Sequence, residues 1–205
     1  MMKYILTAAL AASLLSGCVT AKKIKTDDLS AISSGKMGAI VVATKTKKLP
    51  CGIGYLTFEN TETGQQVSQQ FFGSNYAIKS DMRVMMVRPG IYRPVSGICH
   101  SEYQAGGYRY NDKHPLRGMG SALGVITVEA GELVYPGTIT MTKYKSENDR
   151  SMVQYGVEDA AEYNRKKVTK RYPNLTNRFS SQIIASQNIA NLIGKSTIYS
   201  QTSSK

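Results

Sequence analysis

Three cysteines, Cys18, Cys51 and Cys99, are the residues of this sequence best suited to covalent chemistry, because a thiolate is a strong nucleophile. The two histidines show neither the H-x-x-H nor the H-E-x-x-H pattern, and no nucleophile elbow, dinucleotide fingerprint or phosphate loop is complete. A metal site is an alternative, although such residues in a polar segment are usually solvated. Its candidate ligands are His100, Glu102, Asp112 and His114. We predict a non-enzymatic protein with no metal and no cofactor.

The first cysteine stands at the end of a short apolar run. Lys3 supplies a positive charge ahead of residues 5–15, which match the core of a signal peptide. A membrane-spanning helix would need about 20 apolar residues, so this run is too short to be one. The order Leu15-Ser16-Gly17-Cys18 resembles the lipobox of bacterial lipoproteins. The resemblance implies removal of residues 1–17 and acylation of Cys18. The alternative is an ordinary secretory peptide with an incidental cysteine.

The acylated cysteine would hold the protein on a membrane, because several acyl chains together make a stable anchor. In lipoproteins of the Gram-negative type, Asp directly after the acylated cysteine favours the inner membrane. Val19 stands at that position here. The resemblance therefore implies the outer membrane, with the protein facing the periplasm.

The other two cysteines would share an oxidising compartment, where disulfides form and persist. We predict that Cys51 and Cys99 are bridged. Closing a loop of about fifty residues contributes about 4 kcal/mol in the chain-entropy model. The alternative is a reactive Cys99 beside His100.

The charge balance is strongly basic, with 26 Lys and Arg against 14 Asp and Glu, a net charge of +12. In a cytosolic protein this would suggest nucleic acid. In an exported protein the accessible anions are lipid phosphates, lipopolysaccharide and cell-wall carboxylates. The partners predicted are therefore the membrane and another envelope protein or an anionic envelope component, with a generic solvated surface as the alternative.

The segment from Ser101 to Leu123 is the most unusual stretch. It is rich in Gly and longer than most loops of compact domains. Tyrosine and arginine together suit a binding surface, so we interpret the segment as a binding loop. The alternative is a further strand pair, with GGYRYN as part of a hairpin. The predicted binding residues are Tyr103, Tyr108, Arg109, Tyr110, Lys113 and Arg117.

Around this segment the sequence alternates short strands with turn signals. A strand begins at Gly38, a hairpin follows over 51–72 with its turn at 60–64, and Pro89-Gly90 precedes a strand in which Pro94 indicates an edge or a bulge. Further strands are predicted over 125–129, 133–142 and 151–157. This density of strands favours a mainly β fold, an antiparallel β-sandwich.

The final quarter has a different pattern. Val157, Ala161, Val168 and Tyr172 recur at helical spacing, and Pro173 closes the predicted helix. Residues 181–195 predict a second helix. The acidic residues near the start of the first helix and the basic residues near its end match the helix dipole.

Two turn segments carry a second resemblance. RPGIY at 88–92 and VEAGELVYPGTITM at 128–141 resemble turns in a group of uncharacterised bacterial lipoproteins. That family implies a small sandwich similar to transthyretin and carboxypeptidase regulatory domains, followed by a helix, and it implies no reaction. The expected organisation is a signal peptide over 1–17, a lipidated flexible tether over 18–37, the sandwich over 38–157, a helical segment over 158–195 and a loose tail over 196–205.

Overall fold

The computed structural model describes residues 19–20, 24, 26–47, 53–72, 78–105, 108–116, 123–145 and 151–184 of the 205. These residues form twelve strands, two α-helices and one 3-10 helix. The first half contains β1 (Val19–Thr20), α1 (Thr26–Ser33), β2 (Gly38–Lys47), β3 (Ile53–Asn60), β4 (Gln66–Phe72), β5 (Ile78–Val87) and β6 (Gly90–Ala105). The second half contains β7 (Tyr108–Leu116), β8 (Ile126–Val128), β9 (Leu133–Tyr135), β10 (Thr138–Lys145), β11 (Ser151–Glu158), α2 (Ala161–Arg171), the 3-10 helix (Pro173–Arg178) and β12 (Phe179–Ser181).

The strands form two six-stranded sheets, so the β-sandwich prediction is confirmed. The first sheet has the order β1-β4-β3-β6-β7, with β8 pairing beside the start of β6. The second has the order β11-β10-β2-β9-β12, with β5 on the other edge of β2. The pairing is mixed, because β2 is parallel to both β9 and β10 although antiparallel to β5.

β2, at the centre of the second sheet, is buried on both of its faces over most of its length. Ile40 and Val42 of β2 face the first sheet and belong to the inter-sheet core. Ala39, Val41 and Ala43 face the opposite way, into a second core under the helices. A strand buried on both faces reads as a continuous apolar run, which is why β2 has no polar alternation over its first six residues.

The hairpin of β3 and β4 is confirmed, together with its turn. The Asn60 side chain accepts hydrogen bonds from the backbone N–H groups of Glu62 and Thr63, at 3.0 and 2.9 Å. Gly64 follows with a φ of +68°, a conformation that glycine adopts without strain. An Asx turn closed by glycine therefore fixes the register of this hairpin.

Pro94 marks a β-bulge, one of the two predicted alternatives. Pro94 pairs with Phe58 and Ser96 pairs with Thr57, which leaves Val95 as an extra residue on β6. On the other side, β6 pairs with β8 only at residues 90–92 and with β7 only from Gly97. Pro94 therefore lies at the bulge and between these two ladders, where its missing N–H breaks no described strand pairing.

The strand predicted over 133–142 is interrupted, which corrects that prediction. Gly137 has a φ of +103° and separates β9 from β10. The preceding turn at Gly131 also carries the chain between sheets, since β8 pairs with β6 and β9 pairs with β2. The residue types predicted the turn, but they did not predict that the strand after it joins the other sheet.

The first C-terminal helix is confirmed as α2, which begins later than the pattern indicated because Val157 belongs to β11. Val168 is fully buried against the second sheet. The second helix, predicted over 181–195, is wrong for residues 181–184, which contain the end of β12 and no helix. Residues 185–205, with the predicted tail, lie outside the described residues.

The flexible-tether prediction is wrong for residues 26–37. Ile32 of α1 is fully buried in the core between the helices and the second sheet. The guanidinium of Arg178 donates to the backbone oxygen of Ser33 at 2.7 Å and to that of Gly131 at 3.3 Å. A cation therefore satisfies the final carbonyl of α1, while the carbonyls of Ser30, Ala31 and Ile32 accept hydrogen bonds from the backbone that follows the helix.

We expect Ile32→Ala to lower the free energy of unfolding by about 2–5 kcal/mol, because it removes a fully buried side chain and leaves a cavity. Denaturant unfolding followed by circular dichroism measures the effect. The matched control is Ile78→Ala, whose side chain is 58% exposed and whose loss should cost less than about 0.5 kcal/mol. Equal midpoints for the two variants would contradict the packing of α1.

Candidate functional site

The most distinctive feature of the first sheet is that β6 and β7 extend beyond the end of the neighbouring strand β3. β3 accompanies β6 only as far as the pair Ile53–His100. Beyond it, β6 continues to Ala105 and pairs with β7 alone among the described strands. We call residues 101–105 and 108–112 the arm. Neither strand of the arm has a further paired neighbour among the described strands, and two strands alone are marginal.

The binding-loop prediction is therefore wrong about local structure, and its hairpin alternative is confirmed. Tyr103 pairs directly with Tyr110, and Ala105 pairs with Tyr108. Aromatic residues favour strands, and directly opposed aromatic residues stabilise an antiparallel pair. The composition that suggested a flexible recognition loop equally suits a ribbon. The role of the segment in binding stays a prediction.

The register sorts the predicted binding residues. Directly opposed residues and every second residue along a strand occupy one set of positions in the sheet. Tyr103, Tyr108 and Tyr110 belong to one such set, whereas Arg109 and Lys113 belong to the other, opposite Gln104 and His100. Arg117 lies outside the described residues. Tyrosine and basic residues are mixed along the sequence, but the two-residue repeat of the strands assigns them to different sets of positions.

The base of the arm carries an apolar platform that the sequence analysis did not identify. Ile53 and Ile98 are 38% and 44% exposed on the outer face of the first sheet. Between them, the rings of Tyr55 and His100 meet edge to face at 6.0 Å. The signal in the sequence is that β3 has apolar residues at both sets of alternating positions, Ile53 and Tyr55 as well as Leu56 and Phe58.

The other end of the same outer face is hydrophilic. The Glu59 carboxylate accepts a hydrogen bond from Gln66 at 3.0 Å and one from Arg93 at 2.8 Å. These bonds favour the charged form, so first Gln66 and then Arg93 hold the pKa of Glu59 below its ordinary value of 4.5. The stability gained is present above that value and is lost as the pH falls through the lowered pKa.

A small cleft lies between α2 and the second sheet, with a volume of about 170 Å³. Lys45 and Glu158 line the cleft and form an ion pair of 2.8 Å. Asn164, which is buried, donates hydrogen bonds from its amide nitrogen to the Thr138 hydroxyl and the Ala160 carbonyl. Ligand pockets usually measure about 300–1,000 Å³. The cleft is smaller than this range. A wider depression of about 610 Å³ beside it, around Asp159, Glu162 and Lys166 at the start of α2, is shallow and open to solvent.

The metal alternative finds no support in the register. His100 and Glu102 belong to one set of alternating positions, whereas Asp112 and His114 belong to the other, opposite Ser101 and Cys99. Within the part of the chain that the structure describes, no group of three or more His, Cys, Asp or Glu residues could hold a metal ion. The pairing thus separates the four candidate ligands.

The structure describes the position of one of the three cysteines. Cys18 and Cys51 lie outside the described residues, so Cys99 is the one cysteine whose backbone position the structure describes. Cys99 pairs with Gly54 in β6. A bridge needs Cα atoms within about 7 Å of each other, and Cys51 precedes Gly54 by three residues. The bridge therefore requires the chain before β3 to fold back towards Cys99, and it stays a prediction.

We expect peptide mapping without reductant to recover Cys51 and Cys99 in one disulfide-linked pair of peptides. The physical reason is that two thiols so near one strand pair would oxidise in an exported protein. The control is the same digest after reduction, which should release the two peptides separately. Free alkylation of both thiols in unreduced protein would reject the bridge and favour the reactive Cys99.

Comparisons with protein-family models, with curated proteins and with solved structures find no match to this chain. Among the described residues, no helix is long and apolar enough to cross a membrane. The function is therefore argued from the chain's own sequence and surface.

Proposed function

We propose that this chain is a lipid-anchored protein of the bacterial cell envelope that acts as a non-enzymatic interaction or structural module. Cys18 carries the acyl chains, and the folded domain faces the periplasm from the outer membrane. The support for the anchor is the lipobox Leu15-Ser16-Gly17-Cys18 behind a signal-peptide core. Val19 in place of Asp supports the outer membrane over the inner one.

The observation that carries the interaction role is the arm. Its two strands pair with no further strand beyond His100 among the described residues. At its base lies the platform, formed by Ile53 and Ile98, which are exposed, and by Tyr55, which is half-buried. The platform shares its set of positions with Arg109 and Lys113, whereas the three tyrosines of the arm belong to the other set. A partner that covers the platform buries apolar area, and one that also wraps the arm orders a marginal hairpin and reaches the tyrosine positions.

A second candidate function is the binding of anionic envelope glycans or lipids. Arg109 and Lys113 occupy the same set of positions as His100, and the chain carries a net charge of +12. Guanidinium and ammonium groups at alternating positions of one strand suit a polymer with repeated carboxylates or phosphates, and the carboxylate of Glu102 belongs to the same set between them. Binding of this kind would weaken steeply with salt.

We expect Cys18→Ala to release the protein from the membrane fraction, because the variant lacks the thiol that carries the acyl chains. Fractionation of cells, with a carbonate wash, measures the release. Cys51→Ala is the control and should stay with the membranes. A Cys18→Ala protein that still sediments after the wash would contradict the anchor.

Two variants of the arm distinguish the two candidate functions. In one, Tyr103, Tyr108 and Tyr110 become Thr, and in the other, Arg109 and Lys113 become Thr, which preserves strand propensity in both. If a protein partner binds the aromatic positions, the first variant should lose at least about tenfold in affinity, because hot-spot aromatic residues contribute about 2 kcal/mol or more. If glycans bind, the second variant should lose affinity for a soluble anionic polysaccharide, and its salt dependence should flatten.

Partner capture from detergent-solubilised envelopes and titration with the polysaccharide provide the two measurements. The control is Tyr163→Thr, a tyrosine that is 56% exposed on α2, which packs against the second sheet, whereas the arm belongs to the first. The thermal midpoints of both arm variants should stay within a few degrees of the parent, because the arm lies beyond β3. Unchanged binding in both variants would contradict a role for the arm.

A further inference from the structure

The chain between the proposed acylated cysteine and the first sheet is very short. Val19 is already part of β1 and pairs with Val67 of β4, and Thr20 pairs with Ser68. Consecutive Cα atoms are about 3.8 Å apart, so Cys18 lies one residue from a position held in the first sheet. The predicted tether of about twenty residues is replaced by a direct connection.

The register also fixes the end of the sandwich at which the anchor enters. β1 and β4 are parallel, and Val67 follows the turn 61–65 by two residues. Tyr92 pairs with Asn60 and Gly90 pairs with Val128. We call residues 61–65, 88–89 and 129–130 the turn end, because all of these connections lie at the end where β1 begins.

We infer that the turn end lies against the bilayer that holds the acyl chains of Cys18 and that the arm points away from it. This inference rests on the proposed lipid anchor. The turn end exposes polar and charged residues of both signs, including Glu62, Arg88 and Glu129. Such residues suit contact with lipid headgroups, whereas entry into the hydrocarbon would be costly.

The length of β6 sets the reach of the arm. β6 starts at the turn end with Gly90 and runs for 16 residues to Ala105, which is about 50 Å at the usual rise of a strand. The platform of Ile53, Tyr55 and Ile98 lies towards the same far end. The surface proposed for binding therefore meets partners outside the anchoring leaflet, and the lipids of that leaflet are not its ligand.

The chain contains no tryptophan, so a single introduced Trp reports one position without background. Gln65→Trp labels the turn end, and Lys47→Trp labels the opposite end of β2; both residues are exposed. The lipidated full chain is inserted into phosphatidylcholine vesicles with brominated acyl chains, which quench nearby Trp. Flotation of the vesicles tests the anchor separately from the orientation.

We expect both proteins to float and the Gln65→Trp fluorescence to be quenched at least threefold more than that of Lys47→Trp. Eight Gly and Ser residues inserted after Cys18 should remove this difference while flotation persists. Floating protein with equal quenching at the two positions, or with stronger quenching at Lys47→Trp, overturns the orientation alone. Protein that does not float overturns the anchor and, with it, the orientation.

Discussion

Burial of β2 on both of its faces is the constraint on which the rest of the structure depends. One face packs Ile40 and Val42 against the first sheet, and the other packs Ala39 and Val41 against the helices. A strand in this position cannot be left half covered, because either open face would expose a contiguous apolar surface. The sandwich therefore needs a third layer, which α1, α2 and the 3-10 helix supply.

Close approach between strands and side chains completes the inter-sheet core. Gly54 lies beneath the ring of Phe71, which occupies the space that a Cβ atom would need. Leu56 and Phe58 continue the same face of β3 with no exposed area. Among the described residues, the outer face exposes Ile53 and Ile98, which leaves the platform available for contact while the packed inner face supports β3 beneath it.

Local features of the fold were predictable from the sequence, because their causes are local. The turn at Asn60, the bulge at Pro94 and the helix that Pro173 ends each follow from one or two residues. The sequence did not predict which sheet each strand joins. A turn at Gly131, for example, could connect two strands of one sheet or two strands of different sheets. For the candidate site, composition identified Tyr103 and its neighbours, but only the pairing register separated the tyrosines from the basic residues.

The contact between Arg178 and the end of α1 has a consequence for the order in which the chain can fold. The two partners are separated by 145 residues, and a polypeptide emerges with its N-terminus first. α1 is therefore synthesised long before the residues that it packs against. Its contact with Arg178 can form only after the 3-10 helix has been synthesised. Long sequence separation of this kind raises the contact order and slows folding, so the early chain has to remain soluble while it is still open.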